Sequence, residues 1–450
     1  MNLRPFDGDD ATIDFLDLLM IDIHGGIRRV SVPSGYATDQ LRAEGIGFDA
    51  SNLGFAKTSD SDMVAIPDMA TAFVREHDGR RVVHALCDVE LTEGGSFAQY
   101  PRNVTRRTVE HLRAEGIADD VQMLVELEFH VFDDVRYGSG LDHASYEVHS
   151  AEGLGPGFDE LPRFGPQGGY HRIAPQDRYE AVRHDVVEAL TAIGIPVKYH
   201  HHEVSAAQLE IELDLIPLAR AADAVALAKW LIRSIVAEHG LYVTFMPKPL
   251  FGAAGNGMHV HQYLERGGRT LFAGDALFGL TDLALAYTAG LLEHSLSGSL
   301  LAFTNPSTNS YRRLVPGFEA PVGATFARAS REASVRVPGY LKPAERRIEY
   351  RTGDASSNPH YALSAMVLAG ADGIRRGADP VALGFDDPRN GKVFPLSLLA
   401  TIDGLARDHG YLLPAFPSSL IELWVRLKRQ EAERVYRAPT AQEYELYFNV

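Results

Sequence analysis

The stretch Phe245-Met-Pro-Lys-Pro-Leu-Phe-Gly-Ala-Ala-Gly-Asn-Gly-Met-His-Val-His261 decides how the rest of the chain is read. It leaves an apolar, strand-like run, crosses a glycine-rich turn and ends in histidines at i and i+2. Strand alternation points His259 and His261 to one face, which suits one metal ligand beside one substrate-facing neighbour. Gly252, Gly255 and Gly257 allow the backbone to approach a ligand closely. A histidine pair alone also fits an ordinary polar strand face, so its surroundings decide the matter.

Working outward, other segments carry related patterns. Glu126-Leu-Glu128 lies in the apolar run Met123–Phe132. Like charges side by side on one strand face are unfavourable without a cation, and apolar flanks argue against a solvated face. His200-His-His-Glu203 is followed by Gln208-Leu-Glu210. Consecutive histidines cannot all converge in a regular element, so Glu203 and Glu210 are the better ligand candidates if the segment between them loops back. Arg346-Arg-Ile-Glu349-Tyr-Arg351 places Arg347, Glu349 and Arg351 on one face, a pattern that also describes a salt-bridge ladder. Arg313, Arg331 and Arg336 lie nearby, and guanidinium forks suit phosphate and carboxylate. Carboxylates for hard cations with arginines for an anion are what metal-assisted phosphoryl transfer needs.

At 450 residues the chain can bury a large core and hold two or three domains. Its 60 acidic and 43 basic side chains give a formal charge of −17, which disfavours nonspecific binding to nucleic acid or anionic membranes. The one cysteine, Cys87, excludes an intramolecular disulfide framework and reads as a small buried apolar residue. The N-terminus shows no signal-peptide pattern, and no apolar run reaches the ~18 residues of a membrane span, so the cytoplasm is the expected location.

The fold class is α+β. Residues 13–32 read as a hairpin around His24-Gly25-Gly26, and Val82–Val89 as a further strand. A small β-rich domain, 1–103, is expected ahead of a larger one, 104–450. A helix is expected over Asn103–Glu115, with Asn103 as N-cap and Gly116 as the stop. Beyond it, strands at 121–132, 204–213, 241–246 and 345–351 alternate with helices at 178–193, 220–238, 280–297 and 358–375. The Gly/Pro-rich stretch 151–169 reads as a long functional loop.

In this order the motifs resemble the glutamine synthetase family of the bacterial type I class, from about residue 13 to the end. The resemblance includes Phe48-Asp-Ala-Ser-Asn52, Ser61-Asp-Met-Val-Ala-Ile-Pro-Asp68, Lys248-Pro-Leu, Asn309-Ser-Tyr-Arg-Arg-Leu-Val-Pro-Gly-Phe-Glu-Ala-Pro321 and the C-terminal Glu443-Tyr-Glu-Leu-Tyr-Phe-Asn-Val450. It implies a β-grasp-like N-terminal domain and a catalytic domain built on a curved antiparallel sheet flanked by helices. The implied activity is an ATP-dependent ligase that forms a γ-glutamyl amide from glutamate and ammonia through γ-glutamyl phosphate. A primary amine or polyamine is the alternative acceptor; a non-catalytic oligomeric relative and a metal-dependent hydrolase are the competing classes.

Carried over residue by residue, the resemblance implies Mg²⁺ or Mn²⁺, two or three ions per site, with ATP as co-substrate. Glu128, Glu203 and Glu210 would hold one ion, and Glu126, His259 and Glu349 another. Gly255, Arg313 and Arg351 correspond to glutamate-binding positions, and His261, Arg331 and Arg336 to nucleotide-binding ones. Glu319 matches the flap glutamate that helps take the amine proton, and Asp49 the ammonium-binding aspartate donated by a neighbouring subunit. A ring-shaped homo-oligomer, a dodecamer, is implied. The chain departs from the family at Ala254, where a substrate-loop asparagine is typical, and at Lys198, Leu215, Tyr263 and Ala344 around the nucleotide. The segment 387–396 is too short for the loop that is adenylylated in some type I enzymes.

Overall fold

A hairpin closed by His24-Gly25-Gly26 forms one edge of the N-terminal sheet, and Gly25 turns it with φ +83°. The computed structural model describes residues 2–8, 13–55, 61–153 and 167–450. Most of the expected loop 151–169 therefore lies outside the described residues. Among those described, the N-terminal sheet has seven strands: β1 (Asn2–Pro5), β2 (Phe15–Ile21), β3 (Ile27–Pro33), β4 (Ile46–Asp49), β5 (Asp62–Pro67), β6 (Phe73–His77) and β7 (Arg80–Leu91). Their order is β1-β6-β7-β2-β3, with β5 linking β4 to β7. Strands β2 and β7 run parallel. Cys87 is fully buried on β7, and burial pushes its thiol up to about 12.

The second sheet carries the site. After β8 (Asp120–Phe132) comes a separate hairpin of β9 (Asp134–Ser139) and β10 (Ala144–His149). The sheet then continues with β11 (Val197–His202), β12 (Gln208–Leu213), β13 (Ile216–Pro217), β14 (Tyr242–Thr244), β15 (Met258–Arg266), β16 (Arg269–Thr270), β17 (Phe326–Arg328), β18 (Val335–Val337) and β19 (Ile348–Tyr350). Its main path is β11-β12-β8-β15-β19-β18-β17, antiparallel except for β17 against β18. The fold is α+β, and helices including Leu218–Glu238 pack on this sheet.

The expected strand at 204–213 is shorter than its apolar pattern. Ala207 adopts φ +64° in the turn after Glu203, and the strand starts at Gln208. The helix expected from Asn103 begins instead at Pro101, whose ring presets φ at the first helical position. Asn103 is not the cap. Its buried side chain donates to the carbonyls of Phe97 at 2.9 Å and Val89 at 3.3 Å. Helices Asp282–Ser297 and Pro359–Arg376 approach closely because Gly290 and Gly373 sit at the crossing. A Cβ at Gly290 would overlap the Ala369 carbonyl oxygen, and one at Gly373 that of Ala286.

Arg102 ties the N-terminal sheet to the helical layer. Its guanidinium pairs with Asp68 (2.6 Å) and Asp88 (2.8 Å) from the first and Asp223 (3.0 Å) from the second. Burial alone would lower its pKa, but Asp223 and Asp88 outweigh that and raise it. Asn358 adds hydrogen bonds to the carbonyls of Asp22 and Ile23, both at 3.2 Å. Trp230 of helix Leu218–Glu238 lies against His84 (5.4 Å) and Phe73 (6.2 Å) of the N-terminal sheet. At the far end, helix Ala441–Tyr447 leaves Leu446 and Phe448 exposed. No helix among the described residues is long and apolar enough to cross a membrane.

Arg102→Ala removes one partner of a buried charge cluster and is expected to cost about 3–5 kcal/mol of stability. The neighbouring Arg106, largely exposed and paired with Asp88 at 2.6 Å, should cost at most about 1 kcal/mol when changed to Ala. Urea titrations of the two variants check this; equal losses would remove Arg102 from its role as the tie.

Candidate active site

Strand register assembles the site in cross-strand rows. His201 on β11 pairs with Glu210 on β12, and Glu210 with Glu128 on β8. Two residues along, Tyr199 pairs with Glu212, Glu212 with Glu126, and Glu126 with His259 on β15. Further across, His261 pairs with Glu349 on β19, and Glu349 with Arg336 on β18. Directly opposed residues share a face, so period-two alternation carries these side chains to one side of the sheet. There most of them line a cavity of about 250 Å³, with Glu212 and His261 outside the lining.

Glu126 accepts from both histidines, His259 Nδ1 at 2.9 Å and His261 Nε2 at 2.9 Å. The other ring nitrogens face guanidiniums: Arg313 Nη2 lies 3.2 Å from His259 Nε2, and Arg347 Nε 3.3 Å from His261 Nδ1. Because arginine only donates, each neutral ring must carry its proton toward Glu126. Glu349 is held by Arg351 Nη1 at 2.5 Å and by Arg336. Gly257 N donates to Glu128 at 2.7 Å, and Gln208 Nε2 at 3.2 Å.

The two sides of the row differ electrostatically. Burial acts upward on Glu126 and Glu349. It is outweighed at Glu126 by hydrogen bonds from His259 and His261, which hold that carboxyl well below the usual range. At Glu349, Arg351 and His261 outweigh it and bring the carboxyl to about 2. At Glu203 and Glu210 the compensation, from His201 and the Val204 N–H at Glu203 and from the Glu203 hydrogen bond at Glu210, does not offset burial. Burial pushes both well above the usual range, reinforced at Glu203 by Glu210 and Glu128 and at Glu210 by Glu126, Glu128 and Glu212. Glu212 Oε2 is buried with no hydrogen-bond partner among the described residues.

This donor set fits hard divalent cations, which favour carboxylate oxygens and accept imidazole. Three groups bring ligand atoms within 4.8 Å of one another at this site: Glu126–His261–Glu349, His201–Glu203–Glu210 and Glu126–Glu210–Glu212. His259 lies instead against Glu126 and, at 3.6 Å, Glu128. The histidine nearest Glu349 is thus His261, which the resemblance puts on the nucleotide side.

Arginines line the same cavity. Arg313, Arg331, Arg336 and Arg351 line the cavity with Glu319 and Gly255. Arg351 Nε donates to the Arg331 carbonyl at 3.0 Å, and its Nη2 to that of Glu319 at 3.4 Å. Glu319 holds φ +55°, a left-handed conformation uncommon outside glycine. The loop glycines do not simply clear space for a ligand. A Cβ at Gly255 would overlap the Pro247 carbonyl, and one at Gly257 would lie 2.7 Å from His259 Nε2. Lys198 lines the cavity, whereas Leu215 and Tyr263 are half-buried and Ala344 is exposed, all three outside its lining. Asp49 is exposed on β4, accepts from Ser51 N at 2.8 Å, and also lies outside the lining.

Several residues in or near the cavity were given no role from sequence. His201 separates from its neighbours by alternation: His202 turns away to Glu152 (2.8 Å) and His200 to Arg183 (3.2 Å). Glu212 repeats the i, i+2 spacing of Glu126 and Glu128, a signal that was available. Tyr170 enters from the end of the 151–169 loop, its ring 5.9 Å from Arg331. Lys248 Nζ lies 3.7 Å from the ring of Phe318, next to Glu319, and burial pushes its pKa down to about 8.

A cavity lined by carboxylates, imidazoles and guanidiniums together defines a protein suited to divalent cations and anionic substrates at one site. The chain matches the glutamine synthetase catalytic domain over residues 98–447 and the glutamine synthetase β-grasp domain over residues 12–91. It belongs to the glutamine synthetase family and is a ligase of that family. It is 36% identical to glutamine synthetase from Frankia alni, covering 98% of this chain and 97% of that one. With the Salmonella typhimurium enzyme the identity is 34%, covering 98% of each. Among solved structures, Plasmodium falciparum glutamine synthetase superposes with a TM-score of 0.89 at 26% identity, over 98% and 97% of the two chains. Ligand-free GmaS superposes with a TM-score of 0.79 at 26% identity, over 97% of each.

A carboxyl whose folded pKa is raised contributes stability below its unfolded pKa, and that stability is lost as pH rises through the folded value. Through Glu203 and Glu210, whose carboxyls are raised well above the usual range, the metal-free protein should therefore lose thermal stability as pH rises above the ordinary carboxylate range. Mg²⁺ must displace their protons, so the rise in Tm on adding it should be larger near pH 8 than near pH 6. Calorimetric melts with and without Mg²⁺ read this directly; a larger rise at the lower pH would show the pair already ionised.

Proposed function

We propose that this chain joins ammonia to the γ-carboxylate of glutamate at the expense of ATP, through γ-glutamyl phosphate. The observation that supports it is that one cavity is lined both by the carboxylates Glu126, Glu128, Glu203 and Glu210 and by the guanidiniums of Arg313, Arg331, Arg336 and Arg351. Phosphoryl transfer and attack on an acyl phosphate both concentrate negative charge on oxygens, and positioned cations are what such steps require.

Glu128, Glu203 and Glu210, with Glu126, His259 or His261, and Glu349, would hold Mg²⁺ or Mn²⁺. When bound, those ions screen the charge on phosphate and carboxylate oxygens. Arg313 and Arg351 hold the carboxylates of glutamate, with Gly255 giving the backbone its close approach. A γ-carboxylate oxygen attacks the terminal phosphorus of ATP, and ADP leaves. Arg331 and Arg336 take the charge of the moving phosphoryl group. The acceptor nitrogen then attacks the acyl carbon, phosphate departs, and Glu319 takes the proton. Glu319 is anchored for this through the Arg351 bond to its carbonyl.

Asp49 reaches such a site if another copy of the chain supplies it. We therefore extend the proposal to a ring-shaped homo-oligomer, a dodecamer, in which the exposed aromatic C-terminal segment inserts into a neighbour. Truncation after Ala438 should dissociate the assembly in sedimentation velocity; an unchanged sedimentation coefficient would oppose it.

One observation favours a primary amine as acceptor instead: Ala254, Phe318 and Tyr340 bring apolar surface to the cavity beside Glu319. Phosphate release with ATP, glutamate and a panel of ammonia, methylamine, ethanolamine and putrescine decides between them. The expected order puts ammonia first in kcat/KM; a higher value for an organic amine transfers the proposal to that amine. Glu349→Gln should lower turnover by roughly 10²-fold or more and also lower the melting temperature, because the buried Arg336 and Arg351 lose the charge of their partner.

The nucleotide side should be weak in its adenine contacts. With Leu215 where an aromatic would stack, Leu215→Phe should improve ATP affinity by ~0.5–1.5 kcal/mol in calorimetry with Mg²⁺. An unchanged affinity would place the base elsewhere.

A further inference from the structure

Regular alternation would turn Lys198 away from the face that carries Tyr199 and His201. The register of β11 against β12 shifts between Val197 and Tyr199, and this irregularity lets Lys198 and Tyr199 look into the same cavity. Bulges beside functional sites commonly re-aim a side chain in this way. Lys198 Nζ reaches Glu212 Oε1 at 2.5 Å. The lysine side chain is 34% exposed and its partner 1%, so the ammonium caps a buried carboxylate from the solvent side.

Glu212 closes a triangle with Glu126 and Glu210, their ligand oxygens within 4.8 Å of one another. Three carboxylates at that spacing are the donor set for a divalent ion, and Glu212 Oε2 is buried without a hydrogen-bond partner among the described residues. Glu126 is already satisfied by two histidines, and Glu210 faces His201 at 3.4 Å. The remaining negative charge of the triangle is the part that Lys198 neutralises.

We infer that Lys198 is a tethered cation standing in for a divalent ion at the Glu126–Glu210–Glu212 corner, so that this corner stays closed to metal while the rest of the row takes it. The inference rests on the ligase reading for the identity of the metal site. A lysine ammonium carries one charge on a flexible stem and coordinates nothing, so it balances the corner without ordering water or phosphate oxygens as Mg²⁺ would.

Counting Mn²⁺ bound to the full-length protein by electron paramagnetic resonance tests it without any activity measurement. Lys198→Ala and Lys198→Met should each bind one more Mn²⁺ per chain than the parent. Lys198→Arg, which keeps the cation, should match the parent. Lys198→Ala combined with Glu212→Gln should lose the extra ion, because the triangle then lacks a charged ligand. An unchanged count in both neutral variants, or an extra ion that survives Glu212→Gln, would overturn the tethered-cation assignment alone. A parent protein that binds no Mn²⁺ would overturn the ligase reading together with it.

Discussion

Everything at the centre of this protein depends on holding like charges together across neighbouring strands. Glu210 opposite Glu128, and Glu212 opposite Glu126, are pairings that a sheet ordinarily avoids, because directly opposed carboxylates repel. The apolar strand residues between them, such as Leu127 and Ile211, are fully buried and fix the register from the other face. A slip of one residue would turn the carboxylates into the core and the core residues into the cavity. The hydrophobic layer thus enforces an arrangement that the charged layer opposes, and histidines and arginines relieve it most around Glu126 and Glu349. The less relieved side, Glu203 and Glu210, is where a cation gains most by binding.

Much of this was legible in the sequence because it is written in period-two patterns. The i, i+2 spacings of Glu126 with Glu128, His259 with His261, and Arg347 with Glu349 and Arg351 translate directly into shared faces. The return of the chain between Glu203 and Glu210 was readable as a condition, and the pairing of His201 with Glu210 meets it. What local pattern could not supply was which residue of one strand opposes which of another. That is why His261, and not His259, is the histidine closest to Glu349. An irregularity such as the one before Tyr199 is likewise set by pairing, so Lys198 read as a substitution in a motif and not as a group re-aimed into the site. Asn103 misled for a different reason: it is a good cap by type, but Pro101 starts the helix earlier and a buried Asn can instead bond neighbouring carbonyls.

The glycine-rich loop shows how far a motif's meaning can shift once its neighbours are known. Glycine there was read as room for a ligand. In the folded chain Gly255 and Gly257 leave room for Pro247, Arg313 and His259, so the loop is first a packing device that seats an arginine and a histidine side by side.

The contact of Trp230 with His84 and Phe73 has a practical meaning. The sequence contains two tryptophans, and the other, Trp424, stacks on Phe303 at 5.4 Å inside the larger core. Trp424 also approaches His24 of the N-terminal hairpin at 6.2 Å, so both indoles touch the seam between the two parts of the molecule. Native emission therefore reports first on the parting of that seam, and through Trp424 also on the larger core.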